Sequence, residues 1–141
     1  MEPHLPEKLA GLVGELALTD QETRAEILIE LSDQFQQVAT EIASAPYPEE
    51  SRVPGCESEV FIFTTERGDT GYDFHFAIEN PQGISAMAMA TIIQETLNGV
   101  PTEQIRAIPN DIAYQIFGRT LSMGKGQGLM GMIAMVKQLA R

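Results

Sequence analysis

The feature that most constrains the fold is a short segment of period-two alternation in the middle of the chain. Apolar side chains alternate with smaller or more polar ones along residues 72–79, which predicts a strand with one buried and one wetter face. Residues 58–66 are rich in β-branched and aromatic residues, and residues 67–71 (RGDTG) are typical of a turn. Together these segments predict an antiparallel hairpin.

Helical patterns precede the hairpin. Residues 5–18 predict a short first helix interrupted by glycines, and Thr19 to Glu22 (TDQE) has the form of a capping box that opens a second helix. Apolar residues then recur at spacings of three and four on one helical face, namely Leu28, Leu31, Phe35, Val38 and Ile42. Pro46 and Pro48 end that helix.

Helical patterns also follow the hairpin. Asn80 is a good N-cap, Pro81 suits the first helical position, and Gly99 suits the position after the C-cap. The buried face predicted for this helix comprises Ile84, Met87, Ala88 and Ile92. Asn110 could cap a further helix that runs through Phe117.

A terminal helix completes the pattern. The glycine-rich residues 123–128 (MGKGQG) predict a flexible loop that enters this helix. Its apolar stripe comprises Leu129, Met132, Ile133, Val136 and Leu139. Helices, a small antiparallel sheet and helices again predict an α+β fold, with residues 1–141 as a single domain.

Composition excludes several classes of function. The net charge of −11 argues against nucleic-acid binding, since phosphate contacts need clustered lysine and arginine. No run approaches eighteen apolar residues, so no membrane span is predicted. The N-terminus lacks the pattern of a signal peptide and there is one cysteine, so we expect a cytoplasmic protein.

The single cysteine, Cys56, lies in residues 52–60 (RVPGCESEV). Pro54 and Gly55 suit the second and third positions of a tight turn, which places Cys56 near a loop tip that leads into a strand. One thiol cannot form an internal disulfide, and alone it cannot hold zinc or an iron–sulfur cluster. The alternative is a structural role as a small buried side chain at the start of the strand.

Residues 53–60 (VPGCESEV) resemble the cysteine-loop motif of the SufE family, which are sulfur acceptors of iron–sulfur cluster assembly. Residues 27–31 (ILIEL) resemble the family's second helix, and residues 98–105 (NGVPTEQI) resemble the segment after its central helix. The QGL sequence at 127–129 precedes the terminal helix at the family's usual place. The resemblance implies a SufE/IscU-like fold with two to three antiparallel strands between N-terminal and C-terminal helices.

The resemblance also implies a chemistry. A pyridoxal-phosphate-dependent, SufS-like cysteine desulfurase would hold sulfur as a persulfide, and Cys56 as the catalytic residue would accept that sulfur and pass it to an iron–sulfur scaffold. The chain would need no cofactor or metal of its own, and it would activate the desulfurase rather than act as a stand-alone enzyme. Residues that would contact the partner are Gly55, Glu57, Ser58, Lys125, Gln127 and Gly128.

The chain departs from the family pattern in ways that affect the thiol. Glu57 and Glu59 stand where the family usually has glutamine or another neutral residue, and Lys125 stands for a usual arginine. The Lys-Gly pair of the family's central helix corresponds to residues 87–88 (MA). Because like charge disfavours the thiolate, we expect Cys56 to react slowly until it is activated by docking.

Three other functions are compatible with parts of the sequence. A non-catalytic adaptor would regulate a desulfurase by binding alone. A cluster scaffold of similar fold is disfavoured because that chemistry needs about three cysteines. A cysteine hydrolase built on Cys56 and His75 has little support, because His75 falls on the more polar face of its strand.

Overall fold

The predicted hairpin is present. The computed structural model describes residues 5–55, 59–68, 71–79, 83–118, 121 and 123–140. Within these residues β1 (Val60–Glu66) pairs antiparallel with β2 (Tyr72–Ile78). The register places Val60 opposite Ile78 and Glu66 opposite Tyr72. The sheet of the described residues therefore has two strands, and Arg52 adds an isolated bridge to Phe61.

Helices precede and follow the hairpin, which confirms the predicted α+β class. The described residues form α1 (Glu7–Ala17), α2 (Gln21–Asp33), α3 (Ile84–Leu97), α4 (Thr102–Arg106), α5 (Ile112–Phe117) and α6 (Met123–Leu139). A single 3₁₀ turn, Glu49–Ser51, leads toward the hairpin. None of the described helices is long and apolar enough to cross a membrane.

Helix α3 lies at the centre of the main core, where it contacts β2, α1, α2 and α6. Its buried residues are Ala86, Ala88, Met89, Ala90, Thr91, Ile92, Ile93, Thr96 and Leu97. The predicted single buried face is therefore wrong in part, since Ile84 is 51% exposed while residues on several sides are buried. A helix enclosed by other elements on several sides has no narrow apolar stripe.

The second helix begins one residue later than the predicted capping box requires. Asp20 is the N-cap, and its Oδ1 accepts a hydrogen bond of 2.7 Å from the backbone N–H of Thr23. The Thr19 hydroxyl instead donates to the carbonyl of Leu16 at 2.9 Å, so Thr19 closes α1 rather than opening α2. Gly11 and Gly14 lie inside α1 and do not interrupt it.

The apolar spacing after Asp33 is not helical. Residues 34–48, which we call the outer strap, cross the outer face of the hairpin, where Val38 packs with Phe61 and Ala77. The backbone N–H of Val38 donates to the carbonyl of Phe76 at 2.8 Å. This tertiary contact explains why a helix-like spacing is not followed by a helix, and why the predicted wetter face of β2 is partly covered.

Side chains from neighbouring elements close the outer edge of β2. The Oδ1 atom of Asn98 accepts from the backbone N–H of Phe74 at 2.8 Å, and the Nε2 of Gln94 donates to the carbonyl of Phe74 at 2.9 Å. The Oε1 of Gln37 accepts from the N–H of Ile78 at 3.1 Å. These amides provide the bonds that a third strand would otherwise make.

Several predicted helix ends differ from the observed ones. Helix α3 begins at Ile84, and the predicted cap residues Asn80 and Pro81 lie outside the described residues. Gly99 has a φ of 76° just after the end of α3, as predicted. Asn110 does not cap α5; its Oδ1 accepts from the Nζ of Lys137 at 3.1 Å.

The glycine-rich residues 123–128 form the first turns of α6 rather than an entry loop, so that prediction is wrong. The stripe predicted for this helix is confirmed, because Leu129, Met132, Ile133 and Val136 are buried and Leu139 packs against the core. Burial of this stripe outweighs the low helix propensity of the glycines.

Arg24 joins the ends of two helices. Its Nη2 donates to the carbonyl of Leu16 at 2.8 Å, near the end of α1. Its Nη1 donates to the carbonyls of Gln115 and Ile116 at 3.2 and 3.4 Å, near the end of α5. The last carbonyls of a helix lack partners within the helix, so one guanidinium stabilises both ends.

The N-cap of α2 makes stability depend on acidity. Hydrogen bonds from the backbone and then the side chain of Thr23 lower the pKa of the Asp20 carboxyl. Because the pKa is lower in the native state, the ionised carboxyl stabilises the fold at pH values above its ordinary pKa of about 3.9. This contribution is lost as the pH falls through the native pKa. We expect Asp20→Asn to keep the cap and lose less thermal stability than the wild type between about pH 5 and about pH 3.

Thermal unfolding at several pH values measures this effect. Glu26→Gln, which neutralises an exposed carboxylate within the same helix, is the charge-matched control and should follow the wild type. Equal acid sensitivity in Asp20→Asn and the wild type would contradict the assignment.

The closed edge of β2 gives a second prediction. Asn98→Ala leaves the backbone N–H of Phe74 without its acceptor, and we expect a loss of about 2 kcal/mol in the free energy of unfolding. Asn110→Ala removes an exposed hydrogen bond and should cost about 0.5 kcal/mol or less. Urea denaturation of both variants measures the difference, and similar losses would refute the edge-closing role of Asn98.

Candidate functional site

The segment around Cys56 leaves and rejoins the sheet through a paired stem. The backbone N–H of Val53 donates to the carbonyl of Val60 at 2.8 Å, and Arg52 bridges Phe61. We call residues 54–59 the Cys56 loop. Cys56 itself and the predicted partner residues Glu57 and Ser58 lie outside the described residues. The described flanks fix where the loop starts and ends.

Both described ends of the loop have left-handed backbone conformations. Gly55 has a φ of 76°, which confirms the turn predicted at Pro54-Gly55. Glu59 has a φ of 48°, which is uncommon for a residue with a Cβ. Its carbonyl accepts from the N–H of Glu79 at 3.3 Å. Such conformations persist where surrounding contacts hold them, and they cluster at functional sites.

The charges beside the loop are shared among three side chains. The Nη1 of Arg52 lies 3.4 Å from the Oε1 of Glu49, and its Nη2 lies 3.8 Å from the Oε1 of Glu59. All three side chains are substantially exposed, so each ion pair contributes about 1 kcal/mol or less. Arg52 thus faces two carboxylates, and the immediate surroundings of the loop keep a net negative charge.

Helix α6 contacts the start of the loop at a glycine. A Cβ at Gly131 would lie 3.0 Å from the carbonyl oxygen of Pro54 and 3.3 Å from the Cγ1 of Val53. The absence of a side chain therefore allows the helix to approach the loop backbone closely. Gly131 was not predicted from the sequence, although an isolated glycine in a helix often has a packing reason.

A cleft of about 290 Å³ adjoins this contact. Its lining includes Arg52 and Pro54 from the segment before Cys56, and Gly131, Ala134 and Met135 from α6. Most of the walls are apolar or small, and the polar lining residues are Glu50, Arg52 and Gln138. The cleft could receive a side chain, but it brings together no set of nucleophile, base and anion-binding groups among the described residues.

The structure places the described partner-contact residues on two segments. Gly55 is exposed in the loop, and Lys125 and Gln127 are exposed on the first turns of α6. Gly128, by contrast, is buried in α6. Gln127 precedes the loop-contacting Gly131 by about one helical turn. One helix therefore carries predicted docking residues and also touches the loop.

His75 is remote from the loop. It lies opposite Phe63, three positions along β1 from Val60, which corresponds to about 10 Å of strand. Its Nε2 is 2.9 Å from the hydroxyl of Thr65, a contact that accounts for its polar environment. No group of three or more histidine, cysteine or acidic residues within the described segments has metal-binding geometry.

A larger cavity lies elsewhere. It measures about 660 Å³ and is lined by residues that include Val13, Arg24, Asp111 and Tyr114. Among the described residues it shares no lining residue with the cleft beside the Cys56 loop. Because Arg24 already donates to three carbonyls, the hydrogen bonds of its guanidinium are explained by helix capping.

Comparisons with known proteins agree with this architecture. The family model described as SufE, Fe-S metabolism associated domain, matches residues 12–140. A solution structure of a hypothetical protein from Thermus thermophilus is similar, with a TM-score of 0.73 and 19% sequence identity. The similarity covers 98% of this chain and 96% of the other. No curated protein sequence gives a significant match.

The charge arrangement predicts how the thiol reacts. Glu59→Gln removes a negative charge from the end of the loop, so we expect the thiolate fraction of Cys56 to rise and alkylation at neutral pH to accelerate about twofold. The rate of reaction with iodoacetamide measures this. The increase should diminish in high salt, because exposed charges are screened.

Glu66→Gln is the matched control, since it makes the same change at the exposed far end of β1. Equal alkylation rates in the two variants would show that Glu59 exerts no local effect on the thiol.

Proposed function

The chain belongs to the SufE family, and we propose that it accepts persulfide sulfur on Cys56 from a pyridoxal-phosphate-dependent, SufS-like cysteine desulfurase. It then relays this sulfur to an iron–sulfur scaffold. The observation that carries the proposal is the family match over residues 12–140, which includes the loop with the chain's single cysteine. The pyridoxal phosphate belongs to the partner.

The proposed reaction is an exchange at sulfur. The Cys56 thiolate attacks the outer sulfur of the desulfurase persulfide. A bond forms between Cys56 and that sulfur, the sulfur–sulfur bond of the donor breaks, and the donor cysteine leaves as a thiolate. No electrons are gained or lost overall. Clearing the persulfide frees the desulfurase for another turnover, which explains how an acceptor would stimulate it.

The described geometry supports access by a partner. Pro54, Gly55 and Glu59 are exposed, so the described parts of the loop lie at the protein surface. The paired stem at Val53 and Val60 holds the chain together on both sides of the exposed segment. Access is one of the factors that control the rate of such exchange, together with the thiolate fraction, the nucleophilicity of the attacking thiol and the leaving group.

The local charge favours activation in the complex rather than in the free protein. Glu59 and Glu49 flank Arg52, and Glu57 follows Cys56 directly in the sequence. Docking against a basic partner surface would offset this negative charge and favour the thiolate. We therefore propose that the desulfurase supplies the setting in which the Cys56 thiolate forms.

Intact-protein mass spectrometry tests sulfur acceptance. After incubation with a SufS-like desulfurase and cysteine, we expect the wild-type protein to gain one sulfur atom that a reductant removes. Cys56→Ser should gain none and should lose the stimulation of the desulfurase, because the nucleophilic thiol is absent.

Two results would overturn the proposal. Stimulation by Cys56→Ser equal to that of the wild type, without sulfur gain in either, would indicate an adaptor that acts by binding alone. Absence of both sulfur gain and stimulation with several desulfurases would reject a sulfur-acceptor role.

A further inference from the structure

We propose that Gly131 is a positioning residue for sulfur transfer, because its contact with Pro54 sets where Pro54 and Gly55, the described residues that lead into Cys56, lie relative to α6. The inference rests on the proposed function of Cys56. Its structural basis is the approach of a helix backbone to the carbonyl of a residue two positions before the cysteine.

A glycine within a helix needs an explanation, since it is less favourable there than alanine. Gly131 lies in the middle of α6, between the core-packed residues Met130 and Met132. A methyl group at this position would lie 3.0 Å from the Pro54 oxygen, closer than ordinary contact between a carbon and an oxygen. The close approach supplies the explanation.

The surroundings restrict how a displaced loop could relax. Val53 is fully buried, and its N–H is bonded to the carbonyl of Val60. On the other side, Leu129, Met132 and Ile133 are buried and anchor α6 in the main core. With Val53 and α6 both held, a methyl group at Gly131 would shift mainly Pro54 and Gly55, which lead into Cys56 in the sequence.

The same helix links this contact to the predicted docking residues. Lys125 and Gln127 are exposed one to two turns before Gly131. A partner that docks on the first turns of α6 would therefore have a fixed position relative to Pro54, because the same helix carries the docking residues and Gly131. Sulfur exchange needs an aligned approach of the attacking atom, so a small displacement of the loop lowers the rate.

Gly131→Ala tests the proposal, with Gly14→Ala as the matched control. Both exchange a helix glycine for alanine, but a Cβ at Gly14 meets no atom within 4 Å. We expect Gly131→Ala to slow maximal sulfur transfer about tenfold while the desulfurase concentration at half-saturation stays the same. The pH profile of Cys56 alkylation should also shift. Gly14→Ala should leave all three quantities unchanged.

A third variant separates positioning from occupancy of the cleft. Ala134→Val narrows the cleft from a position one turn nearer the end of α6. A raised half-saturation concentration in both Ala134→Val and Gly131→Ala, with maximal transfer unchanged, would show that the partner occupies the cleft and would overturn the positioning role.

The outcomes also distinguish this inference from the proposed function. If the wild type takes no sulfur, the proposed function fails. The pH profiles of Cys56 alkylation in Gly131→Ala and Gly14→Ala still test whether Gly131 affects the thiol. If Gly131→Ala matches Gly14→Ala in transfer and in alkylation, the positioning role of Gly131 is rejected even though Cys56 accepts sulfur.

Discussion

A hairpin of two strands cannot cover its own faces and edges, and the rest of the structure depends on that constraint. Helix α3 buries the inner face, and the outer strap packs Val38 on the other. Amide side chains such as Asn98 bond the outer edge of β2. At the opposite edge, Val53 bonds the carbonyl of Val60. These covers come from the outer strap, from α3 with the residue that follows it, and from residues 52–53, so the hairpin determines where those parts meet.

The cover at the β1 edge also positions the candidate site. Residues 52–53 bond the free edge of β1 and then lead directly into the Cys56 loop. The same stretch of backbone therefore closes the sheet edge and holds the start of the loop. Helix α6 packs on this segment through Gly131. The loop is thus supported by the sheet at its stem and by a core helix at Pro54.

Local patterns predicted the elements whose contacts are local. The hairpin alternation and the stripe that begins at Leu129 correspond to observed elements, because each repeats over enough residues to define one buried face. The pattern failed at Val38, where a backbone bond to Phe76 replaces the helix. It also failed at Thr19, because Asp20 is the N-cap instead and the hydroxyl of Thr19 bonds the carbonyl of the preceding helix.

The candidate site could be predicted only in part from the sequence. The turn at Gly55 follows from a contiguous motif, whereas the approach of Gly131 to Pro54 joins positions far apart in the chain.

The arginine that joins α1 and α5 has a consequence for the proposed sulfur chemistry. Arg24 ties distant parts of the chain through the carbonyls of Leu16 and Gln115, a task that small proteins often give to disulfides. A second thiol near a persulfide could attack it, form an internal disulfide and release the sulfur as hydrogen sulfide. Because this chain has one cysteine, the sulfur that we propose for Cys56 would have no thiol of the same chain to react with and would leave only to an external acceptor.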